Sequence, residues 1–202
     1  MRVARKLLIL SLCGLAALAL MWGQSTFRPK AAKEYPSHQD LGKLKVAAVK
    51  FESDEETRPA FGKVNPNEYG VLPVFLILEN TSEQTLLLDR MKVAFQFSGG
   101  EIAPTPPGDL PYLIGVKRPR TGPTVPIPIP LPKKKNPMGG VELQTRAWSA
   151  KTLLKGESAT GFFYFQARYR TNAKIYVTGI REGLTNKELF YVDVAMDAPG
   201  VE

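Results

Sequence analysis

Residues 70–78 read Gly-Val-Leu-Pro-Val-Phe-Leu-Ile-Leu, a run with no polar side chain on either alternating face. Successive side chains of an extended strand point to opposite sides of a sheet. A strand that is apolar on both sides must be covered on both, so the spacing predicts a central strand with packing above and below it. Pro73 cannot donate a ladder hydrogen bond, which confines it to the beginning of that strand.

Other segments supply half-buried strands. Leu44, Val46 and Ala48 alternate with Lys43, Lys45 and Ala47. Met91, Val93, Phe95 and Phe97 point one way and Lys92, Gln96 and Ser98 the other, ending at Gly99-Gly100. Residues 161–166, 174–180 and 188–194 repeat the picture between Arg/Asn and Gly/Asn turns. Residues 52–63 read as a charged loop, and 141–150 as one short helix with Val141, Thr145 and Trp148 on a shared face. Short strands at this spacing indicate an all-β fold, a sandwich or barrel.

The chain opens with Met-Arg-Val-Ala-Arg-Lys and an apolar stretch, residues 7–20, that ends near Ala16, Ala17 and Ala19. This is the layout of a secretory signal, with cleavage expected after Ala19 or Gly23. Fourteen residues fall short of the roughly 20 that cross a bilayer as a helix. Membrane contact is therefore expected only through an uncleaved signal or a lipid on Cys13. Leu12 stands before that cysteine, where lipoprotein processing wants a small residue, and the apolar run continues past it. Cys13 is the only cysteine, so the exported chain has no disulfide and no thiol redox chemistry. Loss of Arg2, Arg5 and Lys6 with the signal lowers the formal charge from +8 to +5, too mild a basicity to indicate nucleic acid. The expected organisation is a signal peptide (1–23), a polar leader or linker (24–42) and one β domain (43–198) with a proline-rich insert at 104–137, in the periplasm or cell envelope or secreted.

Two phrases, VFLILENTSEQTLLL at 74–88 and LKGESATGFFYFQ at 154–166, carry a resemblance. Together they resemble the immunoglobulin-like (telokin-like) β-sandwich domains of exported bacterial proteins and lipoproteins. In those, a strand ends in Asn-x-Ser before an apolar pair that begins the next strand, and a later Pro/Lys-Gly-Glu-Ser turn leads into an aromatic-rich strand. The likeness covers about half of the exported chain, and the long insert and the poor lipidation site depart from it. It implies an immunoglobulin-like antiparallel sandwich of about seven to nine strands outside the cytoplasm. It transfers no catalytic residue, and the roles it implies are mostly unassigned or in binding and envelope assembly.

The insert holds the sequence Val-Pro-Ile-Pro-Ile-Pro-Leu-Pro at 125–132. Amides of residues i and i+2 face the same edge of a strand, so these prolines strip one edge of donors and leave the other able to pair. Such a ribbon is either an edge blunted against aggregation, the commoner use, or a recognition strand displaying Val125, Ile127, Ile129 and Leu131. Lys117, Arg118 and Arg120 precede it and Lys133, Lys134 and Lys135 follow, placing six cations around an apolar ribbon. These ten residues are the candidate partner-binding site, and an envelope protein or an anionic envelope polymer is the expected partner.

Catalytic constellations are scarce. His38, the only histidine, falls in the polar leader, which excludes a histidine triad or multi-histidine zinc site in the core. Residues 156–160, Gly-Glu-Ser-Ala-Thr, lack the closing glycine and following helix of a nucleophile elbow. Glu52, Asp54, Glu55 and Glu56 lack the glycine-punctuated alternation of a calcium loop. Asn80-Thr81-Ser82 fits a glycosylation acceptor but reads as turn chemistry. No cofactor, metal or enzymatic activity is expected. Two alternatives remain: a carbohydrate or acidic-polymer binder stacking sugars on Tyr112, Trp148, Tyr164, Tyr169, Tyr176 and Tyr191, and a hydrolase using a carboxylate pair.

Overall fold

The doubly apolar segment forms a nine-residue strand, β3 (Leu72–Asn80), in a computed structural model that describes residues 27–113, 136–189 and 191–197. Earlier in the chain lie β1 (His38–Asp40) and β2 (Leu44–Lys50). Later come β4 (Leu86–Leu87), β5 (Lys92–Phe97), β6 (Gly100–Ile102), β7 (Thr152–Leu153), β8 (Ser158–Phe165), β9 (Lys174–Thr178), β10 (Arg181–Glu182) and β11 (Val192–Ala195). They form three antiparallel sheets, β1-β2-β3-β8, β11-β9-β5-β6 and the small β10-β4-β7. Two short helices, α1 (Asp54–Phe61) and α2 (Val141–Thr145), accompany them. The fold is mostly β.

Both faces of β3 are covered. Val74, Leu76 and Leu78 face Val93 and Phe95 of β5, Ile175 and Val177 of β9, and Val192 and Val194 of β11 in one core between the two large sheets. Phe75 and Ile77 point the other way, into a second core with Phe61 of α1, Phe162 and Tyr164 of β8, and Leu143 of α2. Phe162 is the centre of that second core, 4.7 Å from Phe61, 4.9 Å from Phe51 and 4.8 Å from Phe75 between ring centroids. The molecule is thus three layers thick: sheet, sheet, and an outer layer of helices and turns.

Pro73 sits where the argument from its missing donor puts it. Its carbonyl accepts from the Phe51 N–H (3.0 Å), just beyond the last β2–β3 ladder pair, Lys50 with Val74. The Phe51 carbonyl would have accepted the N–H that a proline lacks, and the side-chain amide of Asn67 donates to it instead (2.8 Å).

Four expectations are corrected. The leader is structured from Phe27 onward: Phe27 packs 5.0 Å from Phe75, Ala32 is fully buried beside Ala47, and β1 pairs with β2. The charged stretch 52–63 contains helix α1, because Ser53 accepts from the Glu56 N–H while the Glu56 carboxylate accepts from the Ser53 N–H, a reciprocal cap. Its acidic first turn also favours the positive end of the helix dipole. Helix α2 is five residues long and buries Leu143, whereas Val141 is exposed. The last strand starts at Val192, and Glu188 instead forms an isolated bridge with Arg181.

The outer edge of β8 is closed by loop backbone: Trp148 N–H donates to the Phe162 carbonyl (3.0 Å) and Phe162 N–H to the Arg146 carbonyl (2.9 Å). This approach requires Gly161, where an added Cβ would lie 2.6 Å from the Trp148 Cα. Gly161→Ala should therefore cost about 1–3 kcal/mol in urea unfolding, with the Trp148 amide losing exchange protection first. Unchanged stability and protection would show that the edge is not closed this way.

Candidate functional site

The ten residues singled out for partner contact, Lys117, Arg118, Arg120, Val125, Ile127, Ile129, Leu131, Lys133, Lys134 and Lys135, lie outside the described residues, as does the proline repeat itself. What the structure describes is their base. The chain reaches Leu113 through a 3-10 turn, Leu110–Tyr112, and resumes at Asn136 before a second, Pro137–Gly139. Asn136 ties the two together. Its side-chain amide donates to the Pro111 carbonyl (2.6 Å) while its side-chain oxygen accepts from the Met138 N–H (3.0 Å).

Leu110 and Met138 are both fully buried in the second core, so each end is anchored by apolar packing. Thr105 N–H donates to the Tyr164 carbonyl (2.7 Å), and the Tyr164 hydroxyl donates to the Leu143 carbonyl (2.7 Å). Burial pushes the Tyr164 phenol well above its ordinary value, which keeps it a neutral donor. The expected insert at 104–137 is therefore corrected at both ends, where flanking residues belong to the packed body. Tyr112 and Val141 are exposed at this base.

The other sequence candidates are dispersed. Of the aromatic set, Tyr164 is buried, Trp148 is partly buried and stacks on Phe163 at 5.7 Å, and Tyr169 lies under the Lys50 ammonium at 3.3 Å. Only Tyr176 and Tyr191 come together, 5.3 Å apart between centroids. His38 is exposed on β1, its ring nitrogen against the Tyr35 carbonyl. Ser158 opens β8 and is exposed, after a turn that Gly156 makes possible at φ +75°. Among the described residues no group of three His, Cys, Asp or Glu side chains is placed to hold a metal ion.

Asn80 is in the body of the fold. It is 2% exposed; its amide donates to the carbonyls of Gln84 (2.8 Å) and Leu153 (3.0 Å), and its oxygen accepts from the N–H and hydroxyl of Ser82. An acceptor amide engaged in this way is closed to glycosylation. The turn reading of Asn80-Thr81-Ser82 is what the structure shows. Nearby, Glu182 accepts from Lys43 (2.7 Å) and from the Thr185 hydroxyl (2.7 Å). Arg181 makes a bidentate contact with Asp89 at 2.8 and 3.0 Å, and its guanidinium holds that carboxyl below the usual range.

No protein-family model matches the chain, and no curated protein matches it. Among solved structures, it is similar to a candidate lipoprotein (ycdA) from Bacillus subtilis subsp. subtilis str. 168, at 12% identity and a TM-score of 0.37. The match covers 78% of this chain and 38% of that one, so this chain spans well under half its length. No helix among the described residues is long and apolar enough to cross a membrane.

Two measurements test this geometry. Asn80→Ala leaves two carbonyls and the Ser82 N–H short of partners and should cost about 3 kcal/mol by chemical denaturation. For Glu182, the Lys43 ammonium and then the Thr185 hydroxyl lower the carboxyl from 4.5 to about 2. The unfolded chain then binds the proton more readily, so stability is present above pH 4.5 and is lost as pH falls toward 2. Lys43→Gln should flatten the fall of melting temperature across that window. An identical slope in the variant would show that Lys43 does not hold the carboxylate.

Proposed function

We propose that this chain is an exported, non-catalytic binding module of the cell envelope, an immunoglobulin-like β-sandwich that captures a partner through residues 117–135. The observation that carries the reading is the clamped base. Asn136 and Pro111 are hydrogen-bonded neighbours, and Leu110 and Met138 are buried on both sides of the excursion. The two ends of the segment meet at one place on the body, and all six cations of the ribbon fall between those two anchors in the sequence. A segment rooted like this can vary or be removed without disturbing the sheets, which suits a binding loop on a rigid scaffold. Its apolar residues alternate with prolines, and its charges flank them, so an envelope protein with an acidic rim or an anionic envelope polymer is the matching partner. The apolar leader and the absence of cysteine beyond Cys13 support export.

Deleting residues 123–135 from a chain that begins at residue 24, which keeps every described residue, should leave the unfolding transition in place. Binding of the parent chain to immobilised polyglutamate and to envelope extract should be lost in the deletion variant. Raising salt should weaken the polyglutamate contact more than the capture of a docked envelope protein. A deletion variant that unfolds, or that binds as well as its parent, overturns the proposal.

A further inference from the structure

Among the described residues, six large apolar side chains stand strongly exposed: Leu41, Tyr112, Val141, Leu154, Leu184 and Tyr191. Four of them gather at the end of the fold where β3 finishes, the end away from the clamped base. Leu41 precedes the turn into β2, whose Lys43 carbonyl accepts from the Thr81 N–H (3.1 Å). Leu154 follows β7 and Leu184 follows β10, the two strands that flank β4 in the small sheet. Tyr191 leads into β11.

A groove of about 290 Å³ opens at this end, walled by Leu41, Leu44, Leu189, Tyr191 and Val192. At about 30 Å³ per water this is room for several solvent molecules, and ample room for a branched four-carbon side chain. Its lining includes two cations, Lys43 and Lys187, and two anions, Glu182 and Glu188, with Lys43 and the buried Glu182 paired to each other at 2.7 Å.

Leu184 is 87% exposed, on a turn whose own base forms part of the groove wall. That turn is held by the Glu182 N–H to the Lys187 carbonyl (2.9 Å), the Asn186 N–H to the Glu182 carbonyl (2.9 Å) and the Thr185 hydroxyl to the Glu182 carboxylate. Beneath it, Arg181 is fixed by Asp89 and Asn186. A rigid turn presenting a leucine to solvent has its ordering cost already met by the fold, which is what a docking knob needs.

We propose that this end is a two-fold interface between two copies of the chain, with the Leu184 of each seated in the groove of the other. A two-fold contact uses one patch on both subunits, so the patch must complement itself in shape and charge. Knob and groove lie side by side here, and the rim is neutral, with Lys187 next to Glu188 so that a two-fold axis can set each against its opposite. A rim of one sign would repel its own copy, whereas an anionic membrane or acidic polymer would require surplus cations that this end lacks. Four exposed apolar side chains make a small patch beside the roughly 800 Å² per partner of a standard interface, so the dimer is a weak, reversible one.

Sedimentation of the chain beginning at residue 24, from low to several hundred micromolar, should show a reversible monomer–dimer equilibrium. Leu184→Asp should raise the dissociation constant by at least about 100-fold with an unchanged circular-dichroism spectrum. Tyr112→Asp, an exposed change at the opposite end, should leave association as it was. A monomer at every concentration overturns the proposal, whether or not an apolar dye occupies the groove. So does a dimer that survives Leu184→Asp.

Discussion

Burial of β3 on both faces is the constraint from which the rest of the structure follows. Each large side chain removed from water along that strand contributes about 1.5–3 kcal/mol, and eight residues in a row are apolar. One sheet packed on another covers only one face. The second face requires a third layer, and α1, α2, the two turns at the insert base and the Phe27–Glu34 stretch are that layer. The same constraint explains how a chain with a single cysteine manages without cross-links: two cores share one strand, so loosening either face exposes the other.

A strand apolar on both sides has a register problem. A one-residue slip ordinarily sends polar side chains inward, and that penalty fixes the pairing. Along 71–78 a slip exchanges one apolar set for another, so the pattern of the strand alone does not choose. The choice is made at its ends. At the start, Pro73 has no donor, and the orphaned Phe51 carbonyl is satisfied by Asn67 only in the observed register. At the finish, Asn80 is buried with its amide and oxygen fully engaged, while its backbone N–H donates to Glu157 and its carbonyl accepts from Gly156. The sequence phrases at 74–88 and 154–166 meet at this point. Asn80-x-Ser82 and Lys155-Gly156-Glu157 are two halves of one node that aligns β3 with β8 and the small sheet.

How much of this was legible in the sequence depended on whether a signal was local. The centre of β3, the alternation of β5 and the aromatic run of β8 follow from side-chain period alone. Helix α1 was legible too, since Ser53-x-x-Glu56 is a capping box written in four residues, but Pro59 and the density of charge argue for a loop and masked it. The leader was misread because its apolar residues, Phe27, Ala32 and Tyr35, are too sparse for a period; each packs singly against a sheet assembled from later sequence. The groove had no signal at all. Its walls come from residues 41–44 and 182–192, which only the fold brings together. The basic ribbon was conspicuous in composition, whereas the Asn136–Pro111 tie joins residues 25 positions apart, which no local pattern signals.

The two surfaces so defined are separated by the length of the strand that organises everything else. The clamped base hangs on Tyr164, which pairs with Pro73 at one end of β3; the groove lies beside Leu44, which pairs with Asn80 at the other. Nine residues of extended chain span about 30 Å. That distance exceeds the screening length of physiological salt, so charges at one end of the strand exert little field at the other. A change of charge at one end of β3 would therefore be felt little at the other, and the two ends can be varied independently.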